Sequence, residues 1–415
     1  MTTELADNVR KYRRRTGLSQ EELAHAAGVS PGTVRKVEQG GTVRMETLHG
    51  LARALNVTTA ALMASDAPEP LGQAEESNRV NLIPLRAALT PAVGLADPVA
   101  ETAEEEPNLR VFRRTVRDAR VLYFSDSYKS VASQLPGLLR DAGQAVAYYD
   151  SGEEHRQALL ARAEAQRLAG TYLTQVRQYD IAYTALTAAV TDAKNAGDML
   201  AAASGVGGMC WLLVRQSRFE EAERIAASSM DVVEPEITKA EPDHYAVWGG
   251  LAMEAAAAAA RNNRPEEAKE YRKAARVAAT AVGTAHRNVS RHWSVFGPVT
   301  AAVKALEDSM LIGDARTVVR KAGEEEALSP KAWKRLGRPS TNDGNRFTLD
   351  LARAYMRTGD LSAAMEELSQ VRETAPEWLR HQSMAAETME EILGKRKRTL
   401  TAEMRDMAAY LGVVG

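Results

Sequence analysis

The sequence predicts an all-α protein in which a head of five helices is followed by a long α-solenoid. Aromatic residues make up only 5% of the chain while alanine is abundant, which favours closely packed helices over a sheet protein. The 415 residues, 45% of them apolar, exceed the roughly 100–200 of a single domain and can bury a large core. From residue 107 onward, one amphipathic helix-pair pattern recurs along the chain.

Charge is unevenly distributed and divides the chain into three parts. Residues 1–65 carry nine Lys/Arg and six Asp/Glu, residues 66–106 carry two and nine, and residues 107–415 carry 42 and 40. A basic head, an acidic proline-rich connector and a nearly neutral body predict a nucleic-acid-binding module tethered to a second domain. The predicted domains are therefore a head at 1–65, a linker at 66–106 and a helical repeat domain at 107–415.

The first two helices of the head are indicated by apolar spacing and a capping signal. Leu5, Val9 and Tyr12 recur at helical spacing in the first helix. Ser19 and Glu22 have the spacing of a capping box, which opens the second.

The third helix follows a tight turn at residues 28–30. Ser30 before Pro31 is an N-cap followed by proline at the first helical position, and the helix ends at Gly40. Two short helices, Met45–Leu55 and Thr59–Met63, complete the head. Two helices joined by such a turn form a helix-turn-helix, whose second helix can lie in the major groove of DNA.

The string LSQEELAHAAGVSPGTVRKVEQG and the apolar spacing after it resemble the lambda-repressor/Cro (XRE) class of DNA-binding domain across residues 5–63. The resemblance implies double-stranded DNA as partner, contacted by Gln20, Ser30, Gly32, Thr33, Arg35, Lys36, Gln39 and Arg44. Pro31 and Gly32 depart from the class, because longer polar side chains often read bases there. Base reading is therefore expected from Arg35, Lys36 and DNA shape. Members of the class usually bind paired half-sites as dimers, so we expect a homodimer held by the body.

The body has an irregular internal repeat. The residues assigned to the turns of the helix pairs recur 40–51 positions apart, at Tyr128, Tyr179, Phe219, Pro265, Ala315 and Leu361. The last unit resembles a tetratricopeptide repeat, with Leu351, Ala352, Tyr355, Gly359, Leu361, Ala364, Leu368, Val371 and Pro376 on consensus positions. Because the tetratricopeptide period is about 34 residues, these units are expected to have extended helices or loops. Residues 380–393 and 400–411 are expected to cap the open end.

A basic head followed by such repeats resembles the XRE-type regulators with C-terminal helical repeats. That group includes the peptide-sensing quorum regulators of Gram-positive bacteria and an actinobacterial set, which this alanine- and arginine-rich chain resembles more. In tetratricopeptide-like solenoids the first helix of each pair lines a concave groove. The repeat frame places on that face Trp211, Arg215, Met253, Arg261, Glu307, Met310, Arg346, Arg353 and Arg357. The groove is expected to bind a small-molecule or peptide effector or a protein partner; the alternatives are a solvated groove and a dimer interface.

No catalytic constellation, metal site or cofactor motif is present in the sequence, and an enzyme is not expected. His286 and His292 are read as a solvated helix face, and residues 395–398 as a basic inter-helix segment that either stays solvated or contacts DNA. The glycines at 205–208 indicate close helix packing, and Cys210, the single cysteine, is expected to be buried. No stretch is long and apolar enough for a membrane span, so no membrane partner is expected. A cytoplasmic protein is predicted, associated with the nucleoid when bound to DNA.

Two hypotheses of function remain open from the sequence. The first is a sequence-specific transcriptional regulator whose body dimerises and senses an effector. The second is a DNA-anchored adaptor that recruits a protein and responds to no diffusible effector. Repeat motifs specify a scaffold and not a ligand, so the sequence does not decide between them.

Overall fold

The computed structural model describes residues 2–15, 18–55, 57, 59–63, 82–92, 105–236, 239–283, 286–287, 295–311, 313–395 and 400–413. The chain divides into two compact units, Met1–Val80 and Asn81–Gly415, called here the head and the body.

The head consists of five helices around one apolar core. They are α1 (Thr2–Arg15), α2 (Gln20–Ala27), α3 (Pro31–Glu38), α4 (Met45–Ala54) and α5 (Thr59–Met63). Val9, Leu23, Val34 and Leu51 are fully buried between them. The five predicted helices are confirmed.

The body is a series of antiparallel helix pairs preceded by one short helix. The elements in chain order are α6 (Ile83–Leu89), α7 (Leu109–Phe124), α8 (Tyr128–Tyr148), α9 (Gly152–Gln175), α10 (Tyr179–Asn195), α11 (Met199–Arg215), α12 (Phe219–Val232), α13 (Pro242–Arg261), α14 (Pro265–Val282), β1 (His286–Arg287), β2 (Val295–Phe296), α15 (Pro298–Leu311), α16 (Ala315–Glu324), a 3₁₀ turn (Glu326–Leu328), α17 (Pro330–Leu336), α18 (Thr341–Thr358), α19 (Leu361–Thr374), α20 (Pro376–Leu379), α21 (Ser383–Lys395) and α22 (Ala402–Tyr410). Among the described residues the only strands are β1 and β2, a short antiparallel pair. The all-α prediction is confirmed.

The same backbone turn joins the two helices of all six pairs. The residue two positions before the second helix has a positive φ in each pair: Asp126, Arg177, Ser217, Asn263, Gly313 and Gly359, with φ between 58° and 97°. This left-handed residue reverses the chain so that the next helix packs back on its partner. The six residues that the sequence assigns to the turns are the first residues of the second helices, directly after these turns.

Small residues set how closely the paired helices approach. A Cβ on Gly170 would lie 2.5 Å from Leu186 Cγ, and one on Gly205 would lie 2.9 Å from Val190 Cγ2. Gly205 therefore belongs to a close helix contact, as the glycine run predicts. Cys210 is buried, and its Sγ lies 3.6 Å from the carbonyl oxygen of Ala222, consistent with a packed core position.

The body closes on itself, because its last elements contact its first helix pair. The carboxylate of Asp126 accepts hydrogen bonds from the backbone N–H groups of Glu377 (2.6 Å) and Trp378 (2.5 Å) at the start of α20. Asn342 Nδ2 on α18 donates to Tyr123 Oη on α7 at 3.1 Å. The repeats therefore curve far enough for the two ends of the body to meet, and they line a partly enclosed space.

The segment 66–106, predicted to be a linker, contains the helix α6. Leu85 of this helix is buried against α8 and α10, and Arg86 donates to the side chain of Gln178. This segment therefore contributes one helix to the body, while the rest of 66–104 lies outside the described residues.

Several sequence predictions fall on parts that the structure leaves undescribed. His292 and residues 396–398 are among them, as is the side chain of His286. The prediction of a helix face at His286 is wrong, because its backbone lies in strand β1, paired with Phe296. Within the described ranges, no helix has the length and apolar character of a membrane span, and no group of His, Cys, Asp or Glu has the arrangement of a metal site.

Candidate functional site

The first candidate site is the exposed face of α3. Ser30 caps this helix, because its side-chain oxygen accepts from the backbone N–H of Thr33 at 3.2 Å, and Pro31 occupies its first position. Gly28 ends α2 with φ 68°, a conformation that lets the chain turn sharply into α3. The two helices thus have the arrangement of a helix-turn-helix motif.

The two faces of α3 differ sharply in chemistry. Val34 and Val37 are buried in the core of the head, whereas Arg35 and Lys36 point away from it and are exposed. A short helix that buries one apolar face and leaves adjacent cations free can present them to a DNA groove.

Glu38 fastens the end of α3 to α1 and α2. Its carboxylate, 4% exposed, accepts from Arg13 Nε at 2.6 Å and from Gln20 Nε2 at 2.7 Å. Arg10 donates to its backbone carbonyl. Burial alone would raise the pKa of Glu38, but the hydrogen bonds from Arg13 and Gln20 outweigh it and the pKa is lowered. Glu38 is therefore a charged residue with a structural role, because it holds the end of α3 against α1 and α2.

The other residues proposed for DNA contact lie around α3. Ser30 and Thr33 share a 2.8 Å hydrogen bond between their hydroxyls, and Gly32, Gln39 and Arg44 are exposed. Gln20 is partly buried and donates its amide to Glu38. Its predicted contact with DNA stays a prediction, as do the other DNA contacts.

The second candidate site is a cavity of about 440 Å³ inside the body. The first helices of several pairs, α7, α9, α11, α13, α15 and α18, line it. Apolar and aromatic side chains cover part of the wall, among them Phe124, Trp211 and Met253. Its volume lies in the range of small-molecule sites, which is roughly 300–1,000 Å³.

A network of ion pairs forms one wall of this cavity. Arg261 donates to the carboxylate of Glu307, and Lys304 Nζ lies 3.1 Å from Asp343 Oδ1. Arg346 lies between Glu307 (3.7 Å) and Asp350 (3.5 Å). These pairs connect α13, α15 and α18, so they also hold successive repeats in place.

Burial and neighbouring charges shift the pKa values of these groups in opposite directions. The pKa of Asp350 is raised to about 6, because burial outweighs the attraction of Arg346. Burial also raises the pKa of Glu307, but the charges of Arg261, Lys304 and Arg346 outweigh it and hold that pKa well below its usual value. The cavity wall thus contains a carboxylate, Glu307, that stays ionised, whereas Asp350 beside Arg346 gives up its proton only as the pH rises through about 6.

Glu254 is a second carboxyl with a shifted pKa that faces the cavity. Burial is the main cause that raises its pKa to about 7, and Lys304 opposes it. No hydrogen bond or ion pair to Glu254 is found among the described residues. It therefore exposes an acid to the cavity that is partly protonated near neutral pH.

Arg215 faces the same cavity without a carboxylate partner in the described part of the chain. Its guanidinium lies 5.4 Å from the ring centre of Trp211. Burial lowers its pKa, and the positive charge of Arg346 lowers it further. Gln175 lines the same cavity, and its Nε2 is buried without a hydrogen-bond partner among the described residues.

The structure brings together six of the nine residues that were predicted to line a groove: Trp211, Arg215, Met253, Arg261, Glu307 and Arg346. Three are placed elsewhere. Met310 is buried in a cluster with Val318 and Ala354. Arg353 lies 3.5 Å from Glu387 on α21, and Arg357 is exposed near the end of α18.

Sequence reasoning missed Glu254, Lys304, Asp343 and Gln175. One signal was available for Glu254, which is the single charged residue within the otherwise apolar run 251–260. A charge inside such a run is costly unless it has a function or a partner. The others had no comparable signal, because they follow ordinary amphipathic spacing.

Comparison with known proteins identifies the class of the head. Residues 9–62 match the helix-turn-helix family, so the head is a helix-turn-helix DNA-binding domain. Among solved structures, the chain is similar to Bacillus thuringiensis PlcR, whose crystal structure is a complex with the peptide PapR7 and DNA. The likeness has a TM-score of 0.31 and 11% identity, covering 92% of this chain and 99% of PlcR. No curated protein matches the sequence.

Proposed function

We propose that this protein is a sequence-specific DNA-binding transcriptional regulator whose body dimerises and holds an effector in its interior cavity. The observation that carries the DNA part is the exposed pair Arg35 and Lys36 on α3 of a helix-turn-helix head. A regulator of this kind acts where the DNA is, on the nucleoid in the cytoplasm.

The effector part is supported by the cavity. A helical scaffold that only spaced two DNA-binding heads would need no interior space, and no cations or acids facing it. Here Arg215 and Glu254 face a cavity of about 440 Å³ without an ion-pair partner among the described residues, and the buried Nε2 of Gln175 has no hydrogen-bond partner there. Polar groups without partners on a cavity wall are typical of a ligand site.

Dimerisation is proposed because a single helix-turn-helix head covers few base pairs and binds with modest affinity. Two linked heads gain the effective concentration of an intramolecular second contact. An effector that changes the spacing of the two heads then changes DNA affinity without touching either of them.

The DNA assignment is tested with the full-length protein and a site selected from random duplexes. Replacing both Arg35 and Lys36 with Ala is expected to weaken binding and reduce the salt dependence, by about 0.9 in slope for each phosphate that is no longer neutralised. Arg35→Lys keeps the charge and should change sequence preference more than salt dependence. Lys269→Ala, on an exposed part of the body, is the control.

The effector assignment is tested by measuring DNA affinity with and without a small-molecule fraction of cell extract. We expect that fraction to change the affinity of the wild-type protein. A protein insensitive to it that instead captures a defined protein partner would favour the adaptor. Unchanged footprinting by the Arg35/Lys36 double variant would contradict the assignment of α3.

A further inference from the structure

We propose that the cavity of the body binds a small organic anion, whose anionic group pairs with Arg215 and the Gln175 amide. The apolar part of this ligand packs on Trp211. The inference rests on the proposed function in one respect, since it names the chemical class of the effector.

Arg215 supplies the main observation. It is half-buried at the end of α11, lines the cavity, and has no carboxylate within ion-pair distance among the described residues. The face of Trp211 attracts the guanidinium but carries no net charge, so the positive charge stays uncompensated. Removing a cation from water in this way costs free energy unless an anion pairs with it.

The neighbouring acids do not supply that anion, because Glu307, Asp343 and Asp350 pair with other cations and the unpaired Glu254 is not within ion-pair distance of Arg215. Glu307 forms an ion pair with Arg261, and Asp343 forms one with Lys304. Arg346 lies within ion-pair distance of both Glu307 and Asp350. Arg346 is also the charged group that repels Arg215 most strongly. Arg215 and Arg346 are therefore neighbouring cations on this wall, and in the described part of the chain only Arg346 has carboxylate partners.

Gln175 supplies the second, independent observation. It is 1% exposed at the end of α9, lines the cavity, and its Nε2 has no hydrogen-bond partner in the described part of the chain. A buried amide donor is normally satisfied. An anionic oxygen can accept from this N–H and from a guanidinium at once, which gives the site direction as well as charge.

The size and lining of the cavity define the rest of the ligand. About 440 Å³ accommodates a small molecule with a ring or short chain. Trp211, Phe124 and Met253 offer an apolar surface for that part. A carboxylate and a phosphate share the chemistry that Arg215 and Gln175 require, and the experiment separates them.

Three matched probes test the proposal by isothermal titration calorimetry on the full-length protein. They are 2-naphthoate, 2-naphthyl phosphate and uncharged 2-naphthalenemethanol, which share one apolar body. At least one anion is expected to bind the wild type about tenfold or more tightly than the alcohol, as a charged hydrogen bond would give. The anion that binds more tightly identifies the preferred group.

The variants locate the contact. Arg215→Met should weaken anion binding about tenfold or more and leave the alcohol within about twofold, and Gln175→Leu should reduce anion binding less. Arg218→Met, three residues further along and paired with Glu221 outside the cavity, is the control and should change nothing. Circular dichroism and the melting temperature check folding. If Arg215→Met does not fold, Arg215→Gln replaces it, and the comparison of the acid and the alcohol on the wild type needs no variant.

Equal binding of the acid and alcohol, no binding of any probe, or unchanged anion binding by a folded Arg215 variant would overturn the proposal. DNA binding is measured separately with each probe. Anion binding that never alters DNA affinity would contradict the effector role but keep the anion site. DNA binding that responds to cell extract, by a protein that binds no anionic probe, would overturn this inference alone.

Discussion

Replacing Glu254 with Gln should stabilise the body above neutral pH, because it removes a carboxyl whose charged form is disfavoured by burial. The pKa of Glu254 is raised from 4.5 to about 7. A group whose pKa is raised by folding stabilises the protein fully below its unfolded pKa, and that stability is lost as pH rises through the folded value. The wild type should therefore lose stability between about pH 4.5 and 7.5 through this residue.

The size of the effect follows from the shift. At 1.36 kcal/mol for each unit of pKa, moving from 4.5 to about 7 corresponds to about 3 kcal/mol at pH 8. Because Glu254 faces the cavity, water there relieves part of this cost, and we expect about 2 kcal/mol. At about 2.1 cal/mol/K per residue over the body, Asn81–Gly415, that is a rise in Tm of about 3 °C.

The assay is thermal unfolding of the wild type and Glu254→Gln at intervals from pH 4.5 to 8.5. The difference in Tm should be small near pH 4.5 and grow toward pH 8. Glu266→Gln, on the exposed surface of α14 with a side chain 82% exposed, is the matched control. If Glu254→Gln melts below the wild type at pH 8, or the difference does not depend on pH, then Glu254 is ionised and stabilised by a contact, and the reasoning is refuted.

Three further predictions concern the closure of the body, the head and assembly. Asp126→Ala removes the acceptor of two backbone N–H groups on α20. It should lower the Tm of the body and speed amide hydrogen exchange in 376–395, and unchanged exchange would contradict the closing contact. Glu38→Gln should destabilise the head by about 2 kcal/mol, since it removes the charge that holds Arg13 and Gln20. Because the pKa of Glu38 is lowered by folding, the wild-type head should lose this stability as pH falls below about 4.5, and acid titration of the head's circular dichroism checks both statements. A fragment of residues 1–65 should be monomeric by analytical ultracentrifugation and bind an operator far more weakly than the whole chain. A dimeric fragment, or one of equal affinity, would place dimerisation outside the body.

The starts of the helices could be predicted because they depend on local signals. Ser30 before Pro31 caps α3, and each second helix of a pair begins two residues after a left-handed turn residue. In two of the six turns that residue is glycine, at 313 and 359, where its conformational freedom is a direct signal. In the other four it is Asp, Arg, Ser or Asn, and only the register of the repeat located the turn.

The cavity could be predicted only in part, because it depends on contacts between distant segments. Asp126 and Glu377 are 251 positions apart, and no local pattern indicates that they meet. An open groove would have included Arg353. In the structure α21 lies against α18, and Glu387 on α21 forms an ion pair with Arg353. Closure of the body thus decides which charges face the interior.

The head and the body use buried charge in two different ways. In the head, Glu38 receives donors from both Arg13 and Gln20, so its charge is satisfied by the protein and serves to fix α3. In the cavity, Arg215 has no carboxylate within ion-pair distance among the described residues, and the Nε2 of Gln175 has no hydrogen-bond acceptor there. Well-packed apolar residues of similar size would often be as stable or more stable at such positions. Polar groups without partners on a cavity wall therefore lower the stability of the folded body, and the fold does not need them. A ligand that pairs with these groups binds the folded body and so raises its stability again.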